Sequence, residues 1–534
     1  MAKQLNPQQQ EAVNCNSNKI LCLAGAGAGK TATMIERISR LVKDGVAPSS
    51  ILVLTFTNAA GLEMKERYKK IHPTGVIPEF RTFHSFCYSL IVKDKELRNL
   101  VGYDKVPTVV EECELKRLEK SVKMQCNIKL SDAKLAGEGK LTPQEQFEVE
   151  MYKKALKKMI RQENIITFDI LCYDVGNLFV QNHECVKRYK EQYKYIFVDE
   201  FQDTDPKQIQ FLNSFKGDDY HFYFCGDCLQ NIYQFRNCSN ETIKILSKDD
   251  SWTKIRLFEN YRSTRQICEF ANKMSRYADK DYRIEMNGQK DGNRVRVIYG
   301  AASSWTKPIS DDHMAELMDM IRAMKGGGAV LCRSNKEVEY VCSVLQENGI
   351  AFGTNKPNED AVHILKSAVD DDYMLDWLSS FLTAAKYTEY LRAAAQVETP
   401  DIRWFANIYG QTPGINSRGK SIVAIRKILK DTTKPIISRC ADILAELKME
   451  NILLDEIPEA DSDIIECLIS NIEATQSQDL YVGTIHSSKG LEYGTVFVMG
   501  VDDKSFPLDK GEEMLNLYYV AITRAQNELV IFRK

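Results

Sequence analysis

The sequence has 534 residues, which is too long for one hydrophobic core and predicts several domains. Hydrophobic residues make up 44% and charged residues 27%, a balance typical of globular proteins. The formal net charge of −3 excludes a generally basic nucleic-acid coat, so any nucleic-acid path must be a local groove. The N-terminus lacks an apolar stretch behind its charges, and no run of about 18 apolar residues follows. We therefore expect a cytoplasmic protein that does not associate with membranes.

Fifteen cysteines, an odd number without an export signal, indicate reduced thiols rather than a disulfide framework. Cys225 and Cys228 form a C-x-x-C pair, with Cys238 further on. A zinc or iron–sulfur site normally needs four ligands, and no second pair supplies them. We favour the alternative, in which Cys225 ends a buried strand and Cys228 lies in the turn after it.

Short, nearly unbroken apolar runs predict strands that are buried on both faces of parallel sheets. Helical patterns separate the first set of runs, as in α/β domains; these runs are 19–24, 51–55, 195–199 and 221–225. A second set predicts a second α/β domain and comprises 294–299, 328–332, 480–484, 495–499 and 529–532. Residues 93–165 and 390–472 break the rhythm and are predicted as mainly helical insertions, one into each α/β domain.

The strongest chemical signal directly follows the first apolar run. Between that run and a helical pattern from Ala32 onward lies the sequence Ala24-Gly25-Ala26-Gly27-Ala28-Gly29-Lys30-Thr31. In such a loop, backbone N–H groups surround phosphate oxygens at a helix N-terminus. Lys30 supplies positive charge at the β- and γ-phosphates, and Thr31 offers a hydroxyl to Mg²⁺. The pattern predicts a P-loop, and a glycine-rich loop without nucleotide is the alternative.

A P-loop needs an acidic partner for the metal ion, and two carboxylates follow another apolar run. Asp199 can hold Mg²⁺ through its water shell, while Glu200 can polarise the attacking water. Two adjacent acids at this place indicate hydrolysis. The alternative is an acidic turn after a strand, which the accompanying P-loop disfavours.

From this point the sequence resembles the UvrD/Rep family of superfamily 1 DNA helicases over nearly its whole length. The stretch 199–205 is similar to the family's D-E-x-Q-D motif, and the other family motifs occur in the same order. The adenine-reading Q motif is at 5–13, two DNA-contacting motifs are at 55–60 and 81–86, and the third to sixth motifs are at 226–236, 260–263, 483–493 and 518–525. Chance does not plausibly produce so many motifs in order.

The resemblance implies an α/β fold of two RecA-like P-loop motor domains with parallel sheets, each carrying a mainly helical insertion. The first motor domain is expected at 1–92 and 166–260 with its insertion at 93–165, and the second at 261–389 and 473–534 with a reduced insertion at 390–472. The sequence stops at Lys534, soon after the sixth motif, so we expect no fused nuclease.

The resemblance also assigns roles at the ATP site. It implies that Gln9 reads the adenine edge, Tyr261 stacks on its ring, Gln230 senses the γ-phosphate and Glu492 contacts the ribose or γ-phosphate region. The implied cofactors are ATP and Mg²⁺, with the metal held through the P-loop threonine and the first of the two adjacent acids.

Arg262 and Arg524 match the family's two arginine fingers, which the resemblance places on the second domain. A charge delivered across a cleft stabilises the transition state only when the cleft closes, so hydrolysis becomes coupled to domain movement. A surface salt bridge is the alternative for each arginine.

Ala32 stands where many relatives carry an arginine that helps to hold the base, so we expect weaker binding of adenine.

The DNA-contacting roles rest on aromatic rings in loops after strands, where they can stack on bases without reading sequence. These residues are Phe56, Phe83, His84, Phe235 and His486. Polar residues beside them are expected to bond to phosphates or support the rings; they are Thr57, Asn58, Thr484 and Arg236. Core packing is the alternative for Phe56 and Phe83.

The third motif departs from the family pattern. Cys228 and Leu229 replace acidic residues, and 237–238 replace Gly-Ala, so the coupling between γ-phosphate sensing and DNA is expected to differ.

Residues and resemblance together predict an ATP-dependent DNA helicase or translocase that acts on single-stranded DNA and on single-strand/duplex junctions. The resemblance alone implies 3′→5′ movement. An alternative is an ATP-gated, nucleic-acid-sensing subunit that works with a separate nuclease, like the helicase-like subunit of the Gabija antiphage system. A partner from repair or defence stays open as well. A P-loop kinase or small-molecule enzyme is disfavoured by Glu200 beside Asp199 and by the late arginines.

Overall fold

A computed structural model describes residues 5–299, 308–353, 480–501 and 512–533, apart from short gaps at 110–111, 129, 132–134, 136–140, 234–237, 239, 278–279, 281 and 325. The chain divides into two compact units, residues 1–262 with 272–289 and residues 263–271 with 290–534. The first unit thus includes Tyr261, Arg262 and residues 272–289, which the sequence suggested for the second domain. The predicted insertion at 390–472 lies outside the described residues.

The first unit is built on a parallel sheet. The strands up to residue 290 are β1 (Lys19–Ala24), β2 (Ile51–Thr55), β3 (Glu79–Thr82), β4 (Thr108–Val109), β5 (Ile165–Ile166), β6 (Tyr195–Val198), β7 (His221–Gly226), β8 (Thr253–Leu257), β9 (Glu259–Thr264) and β10 (Asn287–Lys290). Six of them form one sheet in the order β3-β2-β6-β7-β1-β8, and every pairing in it is parallel. β4 pairs with β5, and β9 pairs with β10, in two small sheets.

The large sheet is buried on both faces, as its apolar runs predict. Leu21 and Leu23 of β1 pack into one core, while Ile20 and Cys22 pack into another. This alternation follows from the period of two along a strand. The cores are covered by helices that join the strands as crossovers, which is the expected connection between parallel strands.

Helices of the first part of the chain are α1 (Pro7–Asn14), α2 (Lys30–Lys43), α3 (Asn58–Ile71), α4 (Phe83–Lys93), α5 (Lys95–Leu100), α6 (Glu112–Gln125), α7 (Pro143–Gln162), α8 (Phe168–Val180), α9 (Glu184–Gln192), α10 (Pro206–Asn213), α11 (Glu241–Lys248) and α12 (Arg265–Ser275). Many begin at a polar cap: Thr142 and Glu145, for example, form a capping box at the start of α7. Between 93 and 165 the described elements are helices apart from β4 and β5, and α6 and α7 share a small apolar core.

The second unit contains a second parallel sheet. Its strands are β11 (Arg296–Tyr299), β12 (Gly328–Cys332), β13 (Leu480–Thr484), β14 (Tyr493–Val501) and β15 (Ala525–Arg533), and its further helices are α13 (Asp311–Ala323), α14 (Asn335–Glu347) and α15 (Glu512–Ile522). The strand order is β11-β15-β14-β12-β13, with all pairings parallel. Val330 and Phe497 are among the buried side chains of its core.

The predicted fold class, α/β with two parallel sheets, is confirmed. β3 and β8 were not predicted, because their short, partly polar sequences do not form apolar runs. Both are edge strands, which need less burial than central strands. Within the described residues, no helix is both long enough and apolar enough to cross a membrane.

Candidate active site

Three neighbouring strands bring the candidate catalytic residues to one edge of the first sheet. β7 lies between β1 and β6, and all three run parallel. Their carboxyl ends therefore meet at the same edge, where ligands of open α/β sheets bind. The P-loop follows β1, Asp199 and Glu200 follow β6, and Asp227 follows β7.

The P-loop has the backbone that phosphate binding requires. Gly27 and Gly29 have φ angles of 67° and 79°, a region that favours glycine. A Cβ atom on Gly27 would lie 2.6 Å from Cβ of Arg262, so the close approach also requires glycine. α2 begins at Lys30 without a side-chain cap, and its first N–H groups can therefore serve a phosphate.

Lys30 and Glu200 form an ion pair across the site, with Nζ 3.2 Å from Oε2. Burial by itself lowers the pKa of Lys30, but Glu200, Asp227 and Asp199 outweigh burial and raise it. Lys30 therefore carries its full charge at neutral pH, as a phosphate-binding lysine must.

Asp199 is suited to a metal ion. It is buried, and burial, followed by repulsion from Glu200, raises its pKa to about 7. Its Oδ1 atom is buried without a hydrogen-bond partner in the described part of the chain. A divalent cation would satisfy this oxygen and stabilise the charged form. Thr31, the second residue of α2, has the hydroxyl that completes the predicted pair of ligands.

Glu200 and Gln230 are held by a hydrogen-bonded network that the sequence did not predict. Glu200 has a left-handed backbone, with φ of 49°. Its Oε2 accepts a hydrogen bond of 2.6 Å from Gln202 Nε2. Gln230 donates from Nε2 to Asp227 Oδ2 at 2.8 Å. Gln202 and Asp227 are thus candidate site residues, and only their place within the D-E-x-Q-D motif and the third motif could have singled them out.

The predicted adenine-binding residues also lie against the P-loop. Gln9 donates from Nε2 to the carbonyl of Ala28 at 3.0 Å, and its Oε1 accepts from the backbone N–H of Asn6. Asn6 Nδ2 donates in turn to the hydroxyl of Tyr261 at 2.7 Å. The Tyr261 N–H donates to the carbonyl of Gly27 at 3.0 Å. The Q motif, the P-loop and the fourth motif therefore meet in the first unit.

The two candidate arginine fingers differ in their surroundings. Arg262 belongs to the first unit and is half-buried, with its N–H donating to Asn260 Oδ1 at 2.8 Å. Arg524 belongs to the second unit and is 1% exposed. Its guanidinium donates to the carbonyls of Val520 and Leu491, both at 3.0 Å. A surface salt bridge therefore does not describe Arg524.

Two other predicted residues of the second unit lie beside β13 and β14. Glu492 accepts a hydrogen bond of 2.9 Å from Gln526 Nε2. Thr484 ends β13, and its hydroxyl oxygen accepts from the N–H of Ser487 at 3.1 Å. His486 lies half-buried in the same turn.

Phe56, which directly follows β2, belongs to an aromatic pair. Its half-buried ring stacks on Tyr233, with centroids 4.9 Å apart and an interplanar angle of 23°. Tyr233 was not singled out from the sequence, although it stands in the aromatic stretch of the third motif. Thr57 beside Phe56 caps α3, because its side chain accepts from the N–H of Ala60.

Phe83 is a core residue. It is 7% exposed and packs edge-to-face against Phe211, which matches the core alternative. His84, the next residue of α4, is half-buried. Phe235, Arg236 and the side chain of Asn58 lie outside the described residues.

Cys225 and Cys228 lie in a strand and in the turn after it, as the sequence indicated. Cys225 lies buried within β7, and Cys228 begins a buried turn of 3-10 helix from Cys228 to Gln230. The thiol of Cys238 donates to the carbonyl of Asp203 at 3.0 Å. Within the described ranges, no three or more His, Cys, Asp or Glu side chains are grouped so as to hold a metal ion.

Comparison with known proteins agrees with the motifs. Residues 5–251 match the UvrD/REP helicase N-terminal domain, and residues 420–533 match the UvrD-like helicase C-terminal domain. The chain is 25% identical to the ATP-dependent DNA helicase PcrA of Staphylococcus epidermidis, over 99% of this chain and 83% of that protein.

Two further relatives are similar over the same extent. PcrA of Bacillus subtilis is 25% identical over 99% of this chain and 82% of its own length. A probable DNA helicase II homologue of Mycoplasma pneumoniae is 24% identical over 99% of this chain and 84% of its own length. The two domain matches together cover more than half of the chain, in the order that the motifs predict, and the chain belongs to the UvrD/Rep helicase family.

Proposed function

We propose that this protein is an ATP-dependent DNA helicase or translocase that hydrolyses Mg²⁺-ATP and moves along single-stranded DNA. The observation that carries the proposal is the meeting of Lys30, Glu200 and Asp199 at one edge of a parallel sheet. A cation for phosphate, a base for water and a carboxylate for a metal ion are the parts that nucleotide hydrolysis requires.

Each group has a separate task in the proposed reaction. Lys30 and the N–H groups at the start of α2 bind the β- and γ-phosphates. Glu200 accepts a proton from the attacking water as a general base. Thr31 and Asp199 would hold Mg²⁺, which neutralises developing phosphate charge when it is bound. Gln230, which donates a hydrogen bond to Asp227, is proposed to sense the γ-phosphate on the ground of the family resemblance.

The aromatic pair of Phe56 and Tyr233 supports the DNA side of the proposal. Two half-buried rings stacked face to face form a platform on which a base can stack without sequence preference. Phe235, His84 and His486 remain proposed DNA contacts from the family resemblance, as do Arg236, Asn58, Thr57 and Thr484. The 3′→5′ direction is proposed on the same ground.

The test is ATP hydrolysis with and without single-stranded DNA, followed by strand displacement from duplexes with a 3′ or a 5′ tail. We expect single-stranded DNA to stimulate hydrolysis and the 3′-tailed duplex to be unwound. Stimulation without strand displacement would exclude a helicase and leave either a translocase or the nuclease-associated sensor, which an assay of movement along single-stranded DNA separates. An ATP hydrolysis rate that single-stranded DNA does not change would contradict both the motor proposal and the sensor alternative.

A further inference from the structure

Gln202 is a fully buried glutamine whose amide is bonded at both ends. Its Nε2 donates to Glu200 Oε2 at 2.6 Å, and its Oε1 accepts from the backbone N–H of Asp227 at 3.0 Å. The orientation of the amide follows from these partners. Because a backbone N–H only donates, the oxygen must face Asp227, and the nitrogen must face the carboxylate.

The surrounding backbone is shaped to admit this amide. A Cβ atom on Gly226 would lie 2.6 Å from Gln202 Oε1, so any larger residue at position 226 would push the amide away. On the other side, the left-handed backbone of Glu200 aims its carboxylate within reach of Gln202. Such a conformation is unfavourable for a non-glycine residue and persists only where its surroundings fix it.

Asp227 continues the connection to the γ-phosphate-sensing residue. Its backbone N–H binds Gln202, while its carboxylate accepts from Gln230 Nε2 at 2.8 Å and from the N–H of Leu229 at 3.1 Å. One hydrogen-bonded chain therefore joins Glu200 to Gln230 through Gln202 and Asp227.

We propose that Gln202 is a positioning residue that orients the carboxylate of Glu200 and ties it to the turn that carries Gln230, so that both groups act as one unit in ATP hydrolysis. Lys30 contacts the same oxygen, Oε2, at 3.2 Å. Since Lys30 also has to bind phosphate, the hydrogen bond from Gln202 can keep Glu200 aimed while Lys30 is engaged with the nucleotide. This inference rests on the proposed hydrolytic function.

The experiment compares kcat and KM for ATP in the wild type, Gln202→Met and Gly226→Ala. Methionine has a similar volume but cannot make the hydrogen bonds of the amide. Gly226→Ala leaves the amide chemically intact and displaces its oxygen, with only milder crowding, at 3.3 Å, of the backbone nitrogens of Phe201 and Gln202. We expect both variants to lose kcat by about tenfold or more, part of the roughly 10²–10⁴-fold contribution of a general base. KM for ATP is expected to stay within about twofold, because no phosphate contact is removed.

A matched control is Gln208→Met. Gln208 is also buried, but within the described residues its amide caps α10, with Oε1 accepting from the N–H of Asp205. We expect this control to lower the melting temperature and leave kcat unchanged. If Gln202→Met lowered the melting temperature but kept the wild-type kcat, Gln202 would be merely structural and the inference would be overturned.

Combining Gln202→Met with Gln230→Ala tests whether the two ends act as one unit. A unit predicts that the double variant is no slower than the slower single variant by more than about twofold. A double variant whose loss of kcat equals the product of the two single losses would contradict the link between Gln202 and Gln230.

If the wild type hydrolyses ATP without DNA stimulation, the motor proposal fails, while the role of Gln202 is still judged on the basal rate of hydrolysis. A wild type without any ATPase activity would overturn both.

Discussion

Nζ of Lys30 lies 3.2 Å from Oε2 of Glu200, although 170 residues separate them in the sequence. One follows β1 and the other follows β6, and parallel pairing of both strands with β7 brings them together. The ion pair joins the residue proposed to bind phosphate to the residue proposed to activate water. The same edge of the sheet therefore carries both of the groups that the proposed hydrolytic reaction needs.

Asp199→Asn is expected to stabilise the protein while abolishing turnover. The pKa of Asp199 is raised from its ordinary value of 3.8 to about 7, so ionised Asp199 destabilises the fold. This destabilisation grows as the pH rises from about 4 to about 7 and is complete above that. Without divalent cations, the variant should melt at a higher temperature than the wild type at pH 8, and the difference should shrink at pH 5. A variant that melts lower, by the same amount at both pH values, would contradict the raised pKa.

Phe56→Ala is expected to weaken binding to single-stranded DNA by about 1–3 kcal/mol, the usual contribution of one base stack. ATP affinity measured without DNA should not change, because the ring stacks on Tyr233, which is not a P-loop residue. Fluorescence anisotropy with a labelled oligonucleotide measures the first quantity. Tyr173→Ala is the control, since Tyr173 is an exposed aromatic residue on α8 outside the family's DNA motifs. Equal losses of DNA affinity in the two variants would show that Phe56 does not belong to the DNA site.

Arg262→Ala and Arg524→Ala are both expected to cut DNA-stimulated turnover by roughly 10³-fold, the scale of arginine fingers. Their stabilities should differ. Loss of Arg524 removes one donor from each of the carbonyls of Val520 and Leu491 and takes away a side chain that is 1% exposed, so this variant should also melt lower. Arg262→Ala keeps the backbone hydrogen bond to Asn260, so it should melt closer to the wild type than Arg524→Ala does, and it should bind nucleotide normally.

Melting temperature, nucleotide affinity and ATPase rate have to be measured side by side for these variants. Arg524→Lys helps to separate the loss of turnover from the loss of stability, because it keeps the charge of the side chain but not the planar arrangement of its donors. Normal turnover in a well-folded Arg524→Ala protein would exclude a finger role for Arg524.

The main parts of the site were predictable because they are local in sequence. The P-loop and the Asp199–Glu200 pair each follow an apolar run, and the carboxyl ends of parallel strands converge. The contact between Gln202 and Asp227 was not predictable, since it depends on the spacing of β6 and β7 and on the missing side chain of Gly226. The burial of Arg524 was not predictable either, because arginine is mostly exposed in proteins.

The most direct test of the central claim is the ATPase rate of the wild type, Glu200→Gln and Lys30→Ala, each with and without single-stranded DNA. We expect DNA to stimulate the wild type. Glu200→Gln should bind ATP but lose turnover by about 10²–10⁴-fold, the usual effect of removing a general base, and Lys30→Ala should lose ATP binding as well. A Glu200→Gln protein that hydrolyses ATP at more than about a tenth of the wild-type rate, below that range, would contradict the assignment of Glu200 and with it the proposed mechanism.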